Sequence, residues 1–146
     1  MLDCKLINND NDIAIIVQKK KQLNLVEQYS EVEVLIKDLQ NIILEYKSQN
    51  KKVAIFGAGH RTLALLALAN IKDIEYVIDD ANFKQNKFTP ILHHKIMPLS
   101  HLKENPVDFV IVMVPGIYPN LVITKLKELG LNIDIAKLED NKIKFI

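Results

Sequence analysis

Val53-Ala54-Ile55-Phe56 and Phe109-Val110-Ile111-Val112-Met113-Val114 are each apolar without interruption. A strand with one face in water alternates polar and apolar residues, so a continuous run rich in β-branched and aromatic residues suits a strand covered on both faces. Strands of that kind build parallel sheets, and parallel strands need crossover connections that are usually helical. The intervening sequence supplies them. Residues 62–70 are almost wholly apolar. Leu121 to Leu129 has Pro119 just ahead, suited to a first helical turn, and Gly130 just behind, suited to a C-terminal cap. Shorter strands are expected at Glu75–Ile78, Lys95–Met97 and Ile133–Ala136, with Lys142–Ile146 folding back as an edge. Ser100 can cap a brief helical turn that Pro106 stops. The expected class is α/β, a mostly parallel sheet flanked by helices with right-handed crossovers, the 62–70 helix being buried on nearly all sides.

The N-terminal third reads differently. A short strand is expected over Asp12–Val17, between the turn-like Asn8–Asn11 and the lysines Lys19-Lys20-Lys21. A long amphipathic helix follows, with Val32, Leu35, Ile36, Leu39, Ile42, Ile43 and Tyr46 on one face. Ser30 and Glu33 form a capping-box pair that predicts its start, and the polar Lys47–Lys51 closes it. That face is expected to pack on the sheet. Residues 1–146 thus read as a single domain, 1–50 supplying a strand and helix packed on a core of 51–146.

With 146 residues, 49% hydrophobic and a formal charge of +1, the chain has ample apolar material for a core and no charge excess that calls for nucleic acid. The triple lysine lacks aromatic neighbours and suits a solvated strand end. Cys4 is the one cysteine, which excludes an internal disulfide and fits a reducing cytoplasm. No apolar stretch approaches the roughly 20 residues that span a bilayer. Polar residues 8–12 interrupt any secretory signal, so the expected address is cytoplasmic and away from membranes.

In an open α/β sheet, ligands sit at the C-terminal ends of the strands. Three such ends are expected to converge: Gly57-Ala58-Gly59-His60-Arg61, Asp79-Asp80, and Pro115-Gly116-Ile117-Tyr118. Arg61 is the one arginine among 19 basic residues, and it lies in the turn between a strand and a helix. A guanidinium there can grip a phosphate or carboxylate through two parallel hydrogen bonds, and the helix N-terminus already favours an anion. Gly57 and Gly59 meet the first two positions of G-x-G-x-x-G, while Thr62 replaces the third glycine. Asp79 lies 22 positions after Gly57, near the roughly 20 expected of a carboxylate that binds a ribose hydroxyl. The pattern supports nucleotide binding; a purely structural strand–turn–helix is the alternative. His60 can act protonated or as a neutral hydrogen-bonding group, and Tyr118 can stack on a base or sugar or pack the helix.

Catalytic constellations are not evident. Asp79 and Asp80 are adjacent, so on a strand they point to opposite faces and do not form a carboxylate pair. His93, His94 and His101 lack the cysteines or spaced carboxylates of a metal site and read as loop histidines. No serine or cysteine has a nucleophile's setting.

These residues carry a family resemblance. Gly57-Ala58-Gly59, Leu65-Leu66, Glu75-Tyr76-Val77-Ile78-Asp79, Lys84-Gln85-Asn86-Lys87-Phe88-Thr89-Pro90, Ile96-Met97-Pro98-Leu99 and Asp108-Phe109 together resemble the C-terminal domain of sugar C-methyltransferases. Asn86 and Ile91 stand where that family usually has glycine, which makes the loop geometry a point for the structure to decide. The resemblance implies a Rossmann-like domain that helps bind a nucleotide sugar, dTDP- or otherwise NDP-linked. It places the S-adenosylmethionine site and catalytic groups in an upstream part not expected in this chain. The chain is then an accessory or binding subunit in deoxysugar or surface-polysaccharide biosynthesis, with a separate methyltransferase or sugar-pathway enzyme as partner. In that reading Gly57, Gly59 and Arg61 hold the diphosphate, Asp79 meets a sugar or ribose hydroxyl, and Tyr118 contacts the ligand. An NAD(P)-binding sensor or enzyme is the first alternative, and an interaction protein that kept only the fold is the second.

Overall fold

The computed structural model describes residues 3–7, 12–16 and 24–146. In chain order the elements are β1 (Asp3–Ile7), β2 (Asp12–Ile16), α1 (Leu25–Ser48), β3 (Val53–Phe56), α2 (His60–Leu68), β4 (Tyr76–Ile78), β5 (Ile96–Met97), α3 (His101–Glu104), β6 (Phe109–Val112), α4 (Tyr118–Glu128), β7 (Asp134–Glu139) and β8 (Lys142–Phe145). β1 and β2 pair antiparallel in a two-stranded sheet of their own. The expected turn at Asn8–Asn11 and the lysines 19–21 lie outside the described residues.

The main sheet has the order β5-β4-β3-β6-β7-β8. Its first five strands are parallel and β8 returns antiparallel to β7. Counted from β3, this is the doubly wound Rossmann order, and its direction reverses between β3 and β6. The continuous runs have the predicted cause. Val53, Ile55, Val77, Phe109 and Ile111 bury one face against Leu35, Leu39 and Ile43 of α1 and Leu65 and Leu66 of α2. Ala54, Phe56, Ile78, Val110 and Val112 bury the other against Leu102 of α3 and Val122, Ile123 and Leu126 of α4. Each fully buried aliphatic or aromatic side chain contributes about 1.5–3 kcal/mol relative to exposure. Tyr46 of α1 stacks on Phe109 at 4.2 Å between ring centroids, and Phe145 of β8 stacks on Phe109 at 5.5 Å, so one aromatic column joins α1, β6 and β8.

Three local expectations need correction. α1 starts at Leu25, ahead of the Ser30–Glu33 pair, because the Asn24 side chain caps the Glu27 N–H. The Ser30 hydroxyl donates instead to the carbonyls of Val26 and Glu27 within the helix. At the other end Asn50 takes φ 56, and Lys51 donates to Tyr46 O, as in a Schellman stop. Helix α2 is not buried all round: Thr62, Leu65 and Leu66 face the core while Leu68 is 68% exposed. A helix lying on a sheet buries only one stripe, whatever its composition. Ser100 is the N-cap residue of α3, but its side chain makes no capping hydrogen bond.

The loop after β4 folds back on β5. Asn86 donates to Ile96 O, Ile96 to Lys87 O, and Thr89 to His94 O. Asn86 and Ile91 both take left-handed backbone, φ 62 and 67. The loop thus keeps a conformation that glycine reaches most easily, without glycine at either position. Among the described residues no helix is long and apolar enough to cross a membrane.

Candidate functional site

A cavity of about 730 Å³ opens at the C-terminal ends of β3, β4 and β6, between α2 and α4, at the point where the strand order reverses. Its size lies within the range of small-molecule sites. Gly57, Gly59, His60, Arg61, Asp79, Asp80, Pro115 and Tyr118 all line it. The topology thus brings the three strand ends together.

The two glycines of the turn serve different purposes. Gly57 has φ +115, and a Cβ there would stand 2.9 Å from Val114 Cγ1. Its N–H donates to Ile78 O at 2.7 Å, locking the turn to the neighbouring strand. The protein's own backbone and packing therefore require glycine at 57. Gly59 has ordinary extended backbone, φ −83 and ψ 161, and a Cβ there would meet nothing within 4 Å. It is the N-cap of α2 and provides no side-chain cap, so the first turn of that helix presents uncapped amides at the cavity. Thr62, in place of the third glycine, is buried, and its hydroxyl donates to Met113 O at 2.9 Å. A hydrogen bond from α2 to the end of β6 takes the place of the close helix–strand approach a glycine permits.

Asp79 is buried beneath the turn. One carboxylate oxygen accepts from Ala58 N–H at 2.7 Å and Lys84 Nζ at 3.1 Å, and the other accepts from Ala81 N–H at 2.9 Å. Burial alone would raise its pKa, but the two amides and the Lys84 ammonium outweigh burial and lower it. Gln85 bonds the Asp79 carbonyl at 3.0 Å and completes the bracket. Both oxygens expected to meet a ribose or sugar hydroxyl are thus already engaged in holding the glycine turn. Asp80 is more open. Its carboxylate meets Lys125 Nζ of α4 at 2.7 Å across the cavity, both side chains being about half exposed.

Arg61 projects from the first turn of α2, and its guanidinium donates to Asn141 Oδ1 at 3.0 Å in the β7–β8 turn. Asn141 in turn donates to Glu31 of α1 at 3.2 Å. Tyr118, on the first turn of α4, is 60% exposed at the cavity wall. The histidines are dispersed. His94 is buried with its Nε2 against Ile71 O at 2.7 Å, and His101 stands edge-on to Tyr76. Among the described residues no three His, Cys, Asp or Glu side chains gather around a possible metal. Lys84, Lys125 and Asn141 were not read from the sequence as site residues. Their partners lie 5, 45 and 80 positions away; Lys84 falls within the Lys84–Pro90 segment that carries the family resemblance, and no local pattern marks the other two.

The model of the C-methyltransferase C-terminal domain family matches residues 11–130. The match covers most of the chain, which belongs to that family. No curated protein matches the chain.

Proposed function

We propose that this C-methyltransferase C-terminal domain binds a nucleotide-linked sugar in the cavity between α2 and α4. It serves a methyl-transfer centre carried by a segment or partner enzyme outside the described residues, as an accessory unit in deoxysugar or surface-polysaccharide synthesis. The observation that carries this reading is Gly59. Neither backbone strain nor packing requires glycine there, yet the open space lies beside uncapped helix amides and next to Arg61. That is the combination a phosphate needs to approach the backbone closely.

In this reading the first-turn amides of α2 and Arg61 hold the diphosphate. Asp79 positions the glycine turn from beneath. Recognition of the ribose hydroxyls falls to Asp80, and Tyr118 stacks on the base.

Isothermal titration calorimetry of the folded protein with dTDP-, UDP- and GDP-sugars tests the proposal, with NAD and NADP in the same panel. Binding of a nucleotide sugar that weakens about 10-fold or more in Arg61→Ala supports it, since a charge-assisted contact contributes about 1.5–3 kcal/mol. Absence of heat with every nucleotide sugar overturns it, and selective binding of NAD moves the assignment to a dinucleotide site.

A further inference from the structure

A second cavity, of about 310 Å³, lies on the far side of Arg61. Arg61, Met113, Val114 and Pro115 line both cavities, so the two are lobes of one cleft with the guanidinium on the divide. The lobes differ in chemistry. The larger one is walled by Phe56, Met113, Leu121 and Val122 beside Tyr118. The smaller one ends at the β7–β8 turn, where Glu139 and Asp140 stand.

That turn is rigidly made. Asp140 and Asn141 take φ 50 and 57, the two positive values that a two-residue type I′ hairpin requires. Lys137 and Lys144 both contact the Glu139 carboxylate, at 2.8 and 2.7 Å, and keep it ionised. Asp140 is the freer acceptor, with an 85% exposed side chain and Lys144 at 3.6 Å. Arg61 is fastened to the same turn through Asn141. One short hairpin therefore fixes both the cation on the divide and the carboxylates of the smaller lobe.

We propose that the smaller lobe is the sugar subsite, that Asp140 accepts hydrogen bonds from the sugar's hydroxyl or amino groups, and that the site selects neutral or amino sugars against uronic acids. This rests on the nucleotide-sugar reading above. A nucleotide sugar carries two bulky ends on a central diphosphate, and the cleft has two unequal lobes flanking one arginine. The apolar lobe suits the base. In the smaller lobe Asp140, the freer acceptor, suits groups that donate hydrogen bonds, whereas a sugar carboxylate placed against it has no hydrogen to give.

The test titrates the whole protein with UDP, UDP-glucose and UDP-glucuronate, and with dTDP and dTDP-glucose, at one salt concentration. The hexose nucleotide is expected to bind at least about 10-fold tighter than its diphosphate, and UDP-glucuronate about 10-fold weaker than UDP-glucose. In Asp140→Asn, which keeps a residue favoured in the type I′ turn, the hexose nucleotide should bind no better than the diphosphate alone. Equal affinity for glucose and glucuronate nucleotides, or an undiminished hexose advantage in Asp140→Asn, overturns the subsite while leaving nucleotide binding intact. Failure of every diphosphate and nucleotide sugar to bind removes both proposals.

Discussion

Replacing Ile91 with glycine is expected to stabilise this protein. Ile91 sits in the loop before β5 with φ 67, a left-handed conformation, and its side chain is 73% exposed. An L-residue in that region gives up about 1–2 kcal/mol, and a β-branched one lies at the upper end. The exposed side chain recovers little of this through burial. Glycine removes the strain but adds backbone entropy to the unfolded chain, which costs about 0.5–1 kcal/mol. The net gain is about 0.5–1 kcal/mol. In urea unfolding followed by far-ultraviolet circular dichroism, the midpoint should rise with no change in slope. The melting temperature should rise by roughly 1–4 °C. Ile91→Asn tests the same idea without the entropic cost, because asparagine tolerates left-handed backbone, and it should gain at least as much. A lower midpoint in both variants would refute the argument: it would mean that the exposed Ile91 side chain supports the fold through contacts worth more than the strain.

Three further outcomes follow from the site and the core beneath it. Gly57→Ala should lose about 2–4 kcal/mol in denaturant unfolding, from backbone strain at φ +115 and the Val114 contact, whereas Gly59→Ala, which gives up only the N-cap preference for glycine, should lose about 1 kcal/mol or less and weaken nucleotide-sugar binding in calorimetry. Asp79 has a lowered folded pKa, so its contribution is present above the unfolded carboxylate value of about 3.9 and is lost as pH falls through the folded value. Asp79→Asn should therefore reduce stability at pH 7 by about 2–3 kcal/mol and flatten the acid limb of the stability–pH curve; an unchanged limb would contradict this. Tyr46, through burial and its bond to Asp134, and Tyr76, through burial and the Glu75 charge, are both pushed up to about 12. Their contribution is present below the unfolded value of about 10 and lost as pH rises towards 12, and the double Tyr46→Phe and Tyr76→Phe variant should show a shallower alkaline fall in melting temperature.

The sheet was legible because burial on both faces leaves an unbroken apolar run, and residues 53–56 and 109–112 occupy β3 and β6 as that pattern requires. The start of α1 was hidden because Leu25, Val26 and Tyr29 are exposed, so the periodic face becomes visible only near Val32, where Ser30 imitates a cap. β1 went unread because its alternation, Asp3-Cys4-Lys5-Leu6, is only four residues long. The glycine turn and the three strand ends could be read because backbone geometry restricts which residues fit there. Their partners could not. That Asp79 binds Ala58, Asp80 meets Lys125 and Arg61 reaches Asn141 are facts of three-dimensional packing between positions 21, 45 and 80 apart.

The two margins of the main sheet also decide how this protein can meet others. An unpaired strand margin is a template on which a foreign strand can add. At one margin β5 is only two residues long and its outer side is bonded to the chain's own loop through Asn86, Lys87 and Ile96. At the other, β8 is four residues long and carries Lys142 and Lys144, charges that resist stacking against a second copy. Association by sheet extension is thereby discouraged at both sides of the main sheet. A partner enzyme that docks here is left with the helical faces and the strand-end surface that holds the cleft. Docking on the latter would let a partner reach the cleft without disturbing the sheet beneath it.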